Sequence, residues 1–202
     1  MKKRVFIIHG YGARPSDNWF PWLKEKLEKK GFDSIVPQMP DTDNPTLKKW
    51  LPHLQSLVGQ CDENTFFVGH SLGTITILKY LESLPESEKS GGVVLVGGFS
   101  EAIGAEKLSS FTAKSLDYEK VKHTLSMRSQ ALGTNDNKKS ENKIIAIHST
   151  DDQSVPYKFA EIIRDKLGAE LITLRGAGHI NKKSGYIQLP QALESILKIS
   201  AP

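Results

Sequence analysis

The chain has one cysteine in 202 residues, Cys61, so no internal disulfide is available and burial and hydrogen bonding must hold the fold together. That usage fits a reducing setting, and a cytoplasmic location is expected. No run of apolar residues approaches the ~20 that a membrane span requires. The run that follows the basic Met1-Lys2-Lys3-Arg4 is only Val5-Phe6-Ile7-Ile8 before His9-Gly10, short of the roughly 7–15 residues of a secretion signal. It reads as a buried strand, and no membrane partner is expected. Aromatic residues are sparse, and they do not interleave with a basic stripe. The formal charge of +4 comes from lysines mixed with acids, as in Lys24-Glu25-Lys26 and Glu28-Lys29-Lys30, which is a solvated surface. Nucleic acid is therefore not expected as a partner. The chain lacks a P-loop, a dinucleotide glycine fingerprint and a cluster of metal-ligand type, so neither cofactor nor metal is implied. No protein partner is indicated either: Cys61-Asp62-Glu63 has Gly59 where a Leu-x-Cys-x-Glu motif carries leucine.

What is present is an alternation of short apolar runs with longer segments of helical period. Strands are predicted at 4–8, 33–37, 65–69, 92–96, 143–147 and 170–174. Several are continuous Val/Ile/Leu/Phe runs, as expected of strands covered by helices on both faces. Helical spacing over 46–58 brings Leu47, Trp50, Leu51, Leu54, Leu57 and Val58 onto one stripe, with Pro52 inside it. Similar spacing marks 19–29, 72–84, 157–167 and a last helix opening near Pro190. The fold expected is α/β, a doubly wound parallel sheet of about six strands flanked by helices, in one domain spanning 1–202. Between two strands, 99–142 forms a long excursion with a helix at 118–128 and a polar, exposed loop at 129–142. Such an excursion lies at the carboxyl edge of a doubly wound sheet, where it either caps a pocket or serves as a plain crossover.

Chemistry concentrates at those carboxyl edges. Thr65 to Gly69 is an apolar strand that runs into Gly69-His70-Ser71-Leu72-Gly73 and then into a helix. A serine on such a sharp strand-to-helix turn projects its hydroxyl above the sheet, and glycines two residues away on each side avoid collisions. The backbone N–H of Leu72, at the helix N-terminus, faces any oxyanion that forms there. A serine hydroxyl needs an adjacent base. Of the six histidines, His53 and His123 fall in helical patterns, His70 points away from the serine, and His148 ends a strand and competes. His179 lies in Arg175-Gly176-Ala177-Gly178-His179, a flexible turn after the last strand, which matches the chain order Ser, acid, His of strand–turn–helix elbows. The acid is expected after the preceding strand, where Asp151 and Asp152 are adjacent and one of them serves as a turn or helix cap. At the end of the first strand, His9-Gly10-Tyr11-Gly12 offers the Tyr11 N–H as a second oxyanion donor.

These features together resemble the small cap-less branch of the α/β-hydrolase superfamily. The carriers run over nearly the whole chain: IHGYG at 8–12, NWFPWL at 18–23, GHSLG at 69–73, VLVGGFS at 94–100, FTAKSLDYEKV at 111–121, DDQSVP at 151–156 and GAGHI at 176–180. The resemblance implies a sheet without the antiparallel N-terminal hairpin of larger hydrolases. Its Asp-x-x-Val-Pro pattern selects Asp152 over Asp151, giving Ser71, Asp152 and His179 as catalytic residues with Tyr11 and Leu72 as oxyanion donors. It further implies a serine hydrolase acting on small acyl esters through an acyl-enzyme, with thioesters and amides open to the same parts. The alternative is a hydrolase-fold binding protein whose catalytic parts are vestigial. Trp19, Phe20 and Trp22 are read mainly as core, with one of them available to line the pocket.

Overall fold

Residues 2–125 and 143–201 are described by a computed structural model of the chain. Strand β1 (Arg4–Ile8) leads through helix α1 (Phe20–Lys29) to β2 (Asp33–Ile35), and α2 (Leu47–Val58) leads to β3 (Thr65–His70). Helix α3 (Leu72–Ser83) follows after one residue, then β4 (Gly92–Val96), a short α4 (Ser109–Thr112) and α5 (Tyr118–Leu125). The chain continues with β5 (Ile144–Ser149), α6 (Lys158–Leu167), β6 (Glu170–Leu174) and α7 (Pro190–Ile199). The six strands form one parallel sheet in the order β2-β1-β3-β4-β5-β6. This is the expected α/β architecture.

Alternation along each strand divides the core into two layers. Val5 and Ile7 of β1, Phe66 and Val68 of β3, and Ile145 and Ile147 of β5 meet α1 and α7 on one face. Phe6, Ile8, Phe67, Leu95 and Ala146 point to the other face, against α2, α3, α5 and α6. Helix α3 is buried continuously from Leu72 to Leu81, because sheet, α2 and α5 cover it on three sides. Pro52 sits inside α2 on its exposed side, together with Lys48, whose carbonyl would have received the missing N–H; the helix continues. Leu57, assigned to the apolar stripe of α2, instead lies 39% exposed.

Three strands differ in extent from the sequence reading, β3 only by running one residue further, to His70. Strand β2 ends at Ile35 on the sheet edge, two residues early, just before the Pro37 that cannot donate to a ladder. Strand β5 runs on to Ser149, so His148 and Ser149 are still part of the sheet. The excursion after β4 is fastened to α3, since the buried Lys79 donates to the carbonyls of Lys114 and Ser115 at 3.0 and 3.2 Å. Only the first part of the helix expected at 118–128 falls within the described residues, and the loop expected at 129–142 lies outside them. No helix among the described residues is long and apolar enough to cross a membrane.

From β1 the chain steps one way to β2 and the other way to β3. A crevice therefore opens between the carboxyl ends of β1 and β3, the switch point where ligands bind in open α/β sheets. The segments leaving these two strands are His9-Gly10-Tyr11 and Ser71-Leu72.

Candidate active site

Ser71 occupies the single residue between β3 and α3, with φ 53° and ψ −118°. This is left-handed backbone, costly for a residue with a side chain, and it persists because the flanking elements over-determine it. Ser71 N–H is held by the Val96 carbonyl at 2.9 Å, and Thr74 Oγ1 donates back to the Ser71 carbonyl at 2.6 Å. The two glycines of the turn are required by crowding. A Cβ at Gly73 would lie 2.1 Å from the Ile8 carbonyl oxygen, and one at Gly69 would lie 2.9 Å from Thr74 Cα.

The turn after β1 closes on the serine from the other side of the crevice: a Cβ at Gly10 would stand 3.0 Å from Ser71 Cβ. His9 shapes that turn. Its Nε2 accepts from Met39 N–H at 3.1 Å, so its Nδ1 carries the proton and donates to the Gly10 carbonyl at 2.9 Å. A ring with those two partners has to be neutral, and burial indeed lowers its pKa despite the opposing Gly10 bond. Among the described residues, neither Tyr11 N–H nor Leu72 N–H makes a hydrogen bond within the chain, which leaves both donors available beside Ser71.

Asp152 and His179, 27 residues apart, meet at 2.7 Å between Oδ2 and Nδ1. The other oxygen of Asp152 accepts from the Ser154 and Val155 N–H groups at 2.8 and 2.9 Å. Burial disfavours the charged carboxyl, but the hydrogen bond and charge of His179, aided by those two N–H groups, outweigh it and the pKa is lowered. Asp152 thus holds three hydrogen bonds that favour its anionic form. His148, the competing histidine, is 1% exposed and donates from Nε2 to the Val155 carbonyl at 2.8 Å. Its Nε2 is 3.8 Å from Asp152, and burial lowers its pKa. It packs behind the carboxylate and does not reach the cavity.

Asp151 takes a part that the residues alone did not reveal. One partner is local and the other is not: Oδ1 accepts from Ser149 Oγ, two residues earlier, at 2.5 Å and from Gly178 N–H at 3.0 Å, across to the loop that carries His179. His70, too, is closer to the histidine than the sequence suggests. Its Nε2–H donates to the His179 carbonyl at 2.9 Å, and the two rings lie 4.9 Å apart. Burial, with His179 nearby, pushes the His70 pKa down to about 3, so this ring stays neutral. The residues belong to motifs already visible in the sequence, but their partners lie far away along the chain.

Ser71 and His179 line one open cavity of about 530 Å³ with Tyr11, Ser154 and Val155. Ile103, Ala105, Glu106, Lys107 and Leu108, from the excursion after β4, also line it. Trp19 and Phe20 are fully buried in the core between α1 and the sheet, and neither they nor Trp22 lines this cavity. The aromatic wall considered from the sequence is therefore absent from it.

A family model described as serine hydrolase matches residues 5–198. YdeN of Bacillus subtilis (strain 168) is 34% identical over 191 residues, which covers 94% of this chain and 92% of that protein. The serine hydrolase RBBP9 of Rattus norvegicus is 26% identical over 192 residues, covering 94% and 91%. The crystal structure of the B. subtilis ydeN gene product superposes with a TM-score of 0.86 at 32% identity, over 98% of both chains.

Proposed function

This chain belongs to the serine hydrolase family, and on that premise we propose that it cleaves carboxylic esters of small acyl groups through a covalent acyl-enzyme. The observation that carries the reading is the Asp152–His179 pair at 2.7 Å, opening into the cavity that the strained Ser71 also lines. In this reading Ser71 Oγ attacks the ester carbonyl carbon while its proton passes to His179 Nε2. The carbonyl oxygen becomes an oxyanion that accepts from the Tyr11 and Leu72 N–H groups, whose dipoles are already aligned before charge develops. Asp152 keeps the proton on Nδ1, so Nε2 is the free base, and it stabilises the imidazolium that follows. The bond to the alkoxy oxygen then breaks, and His179 returns the proton to the departing alcohol. A water molecule repeats the sequence on the acyl-enzyme, releasing the carboxylic acid and restoring Ser71.

The lining of the cavity supports the choice of substrate. The cavity is lined on its apolar side by Ile103, Ala105, Leu108 and Val155, with Lys107, Glu106 and Ser154 as its polar members. That composition suits a short acyl chain with a small polar leaving group. The test is labelling with a fluorophosphonate probe followed by peptide mapping, and hydrolysis of acyl esters of graded chain length. Probe on Ser71 and turnover of short esters are expected. Ser71→Ala should fold and lose both, and probe that stays attached to the variant would place the nucleophile elsewhere.

A further inference from the structure

The loop that carries His179 is gripped at four consecutive residues by side chains from separate parts of the fold. Ser149 Oγ accepts the Ala177 N–H at 2.9 Å, and Asp151 Oδ1 accepts the Gly178 N–H at 3.0 Å. His70 Nε2–H donates to the His179 carbonyl, and Trp19 Nε1–H donates to the Ile180 carbonyl, both at 2.9 Å. The Ser149 hydroxyl donates in turn to Asp151 at 2.5 Å, so the first two grips form one unit. These side chains come from the end of β5, the loop beyond it, the end of β3 and the entry to α1. Two strands of the sheet, the loop beyond β5 and the segment entering α1 thus converge on residues 177–180.

The loop needs such support. Ile180 has φ 50°, a left-handed conformation that a β-branched residue avoids, and Gly178 has φ 53° just before the histidine. A segment in that conformation does not hold itself, and it persists only where its surroundings over-determine it. The bond to Asp152 orients the imidazole ring but leaves the position of its backbone open. The side-chain grips set that position, and the His70 ring, 4.9 Å from the His179 ring, limits its movement on one side.

We propose that Ser149, Asp151, His70 and Trp19 are positioning residues that act together through the 177–180 backbone to hold His179 against Asp152 at the cavity shared with Ser71. The proposal rests on the reading of His179 as the general base. It accounts for the second aspartate of the pair: Asp152 holds the ring, while Asp151 holds the loop. Misplacement of a reacting group by about 1 Å can cost ~100-fold in rate, so loss of one grip out of four should be visible in turnover while the fold stays intact.

Asp151→Ala is the decisive variant, because Asp151 is on the surface and its removal leaves the core untouched. Trp19→Phe keeps an aromatic ring in the core while deleting the N–H and part of the indole, and Asp151→Asn keeps an oxygen that can accept from Gly178. The measurements are kcat and KM for a short ester, and the NMR line of the His179 Nδ1–H proton, both well below the melting temperature of each variant. Asp151→Ala and Trp19→Phe should lower kcat roughly 10-fold or more with KM within about twofold, and should broaden or abolish the proton line. Asp151→Asn should restore most of both. The proposal falls if both variants keep kcat within about twofold and a sharp line, or if kcat falls only in proportion to the unfolded fraction. Should the wild type itself neither label at Ser71 nor hydrolyse any ester, the hydrolase reading fails, and the proton line alone decides whether the loop is held as described.

Discussion

Asp152 Oδ2 sits 2.7 Å from His179 Nδ1, and the same carboxylate takes two backbone N–H groups on its other oxygen. An asparagine could keep those two backbone bonds but would turn an N–H₂ group toward the imidazole, forcing the wrong tautomer. Asp152→Asn is therefore expected to lower kcat by ~10⁴, the reference loss for a tautomer-fixing acid. Asp151→Asn should stay within about tenfold of wild type, since its oxygen can still accept from Gly178. Both follow from kcat at saturating ester after circular dichroism has confirmed folding. If Asp151→Asn is the crippled variant, the assignment of the pair is reversed.

The backbone at Ser71 gives a second expectation. At φ 53° glycine loses nothing, whereas alanine keeps the strain. Ser71→Gly should thus be more stable than Ser71→Ala by ~1 kcal/mol. Gly73→Ala, which drives a methyl to 2.1 Å from the Ile8 carbonyl oxygen, should fail to give a soluble, cooperative fold. Urea unfolding of the three variants decides the matter, and equal midpoints for the two serine replacements would count against strain at the turn.

Acid should weaken the fold already between pH 7 and 5. Burial lowers the pKa of His9, His70 and His148 in the folded protein, to about 3 for His70. In the unfolded chain they titrate near ~6.5. The unfolded state then binds more protons below that value, and stability rises with pH across the window. The contribution is complete above about pH 6.5 and is lost as pH falls, continuing towards about 3 for His70. Asp152, whose pKa is lowered, adds its own loss only below ~4, the ordinary carboxylate value. The urea midpoint should drop between pH 7 and 5, and His70→Gln should flatten the slope by up to ~1.4 kcal/mol per pH unit. A midpoint unchanged from pH 7 to 5 would rule this out.

Chain-length preference should depend on one wall. Ile103, Ala105 and Leu108 line the cavity beside Ser71 and also a neighbouring pocket of about 230 Å³ lined by Phe99, Ala102 and Thr112. Short acyl esters should have the higher kcat/KM in the wild type. Ile103→Ala should open the wall and shift the optimum to longer chains, at about 1–3 kcal/mol of added binding for the methylenes gained. A panel from acetyl to dodecanoyl esters measures this. A wild-type optimum at roughly twelve carbons would refute the short-chain reading.

What the chain reveals by itself is whatever a few neighbouring residues decide. The elbow was legible because strand, Gly-x-Ser-x-Gly and helix are contiguous; nearby residues demand glycine at 69, while the Ile8 carbonyl of β1 demands it at 73. The strands were legible because burial on both faces leaves unbroken apolar runs, though β2 stops short where the sheet edge and Pro37 remove its pairing. Order along the chain pointed to His179, whereas the residues left Asp151 and Asp152 open and only the family resemblance, through Asp-x-x-Val-Pro, implied Asp152. Tertiary structure decided the rest, because it concerns partners far apart in sequence. His148 at the end of β5 and His179 after β6 are both placed at the carboxyl edge, and only packing shows that the first is sealed behind Asp152 while the second faces the cavity. Asp151 and His70 read as a turn residue and a bystander until the sheet brings β3 and β5 under the 177–180 loop. A hydrogen bond across 109 residues, such as that from His70 to the His179 carbonyl, leaves no periodicity or composition in the chain, since its geometry exists only once the sheet has assembled.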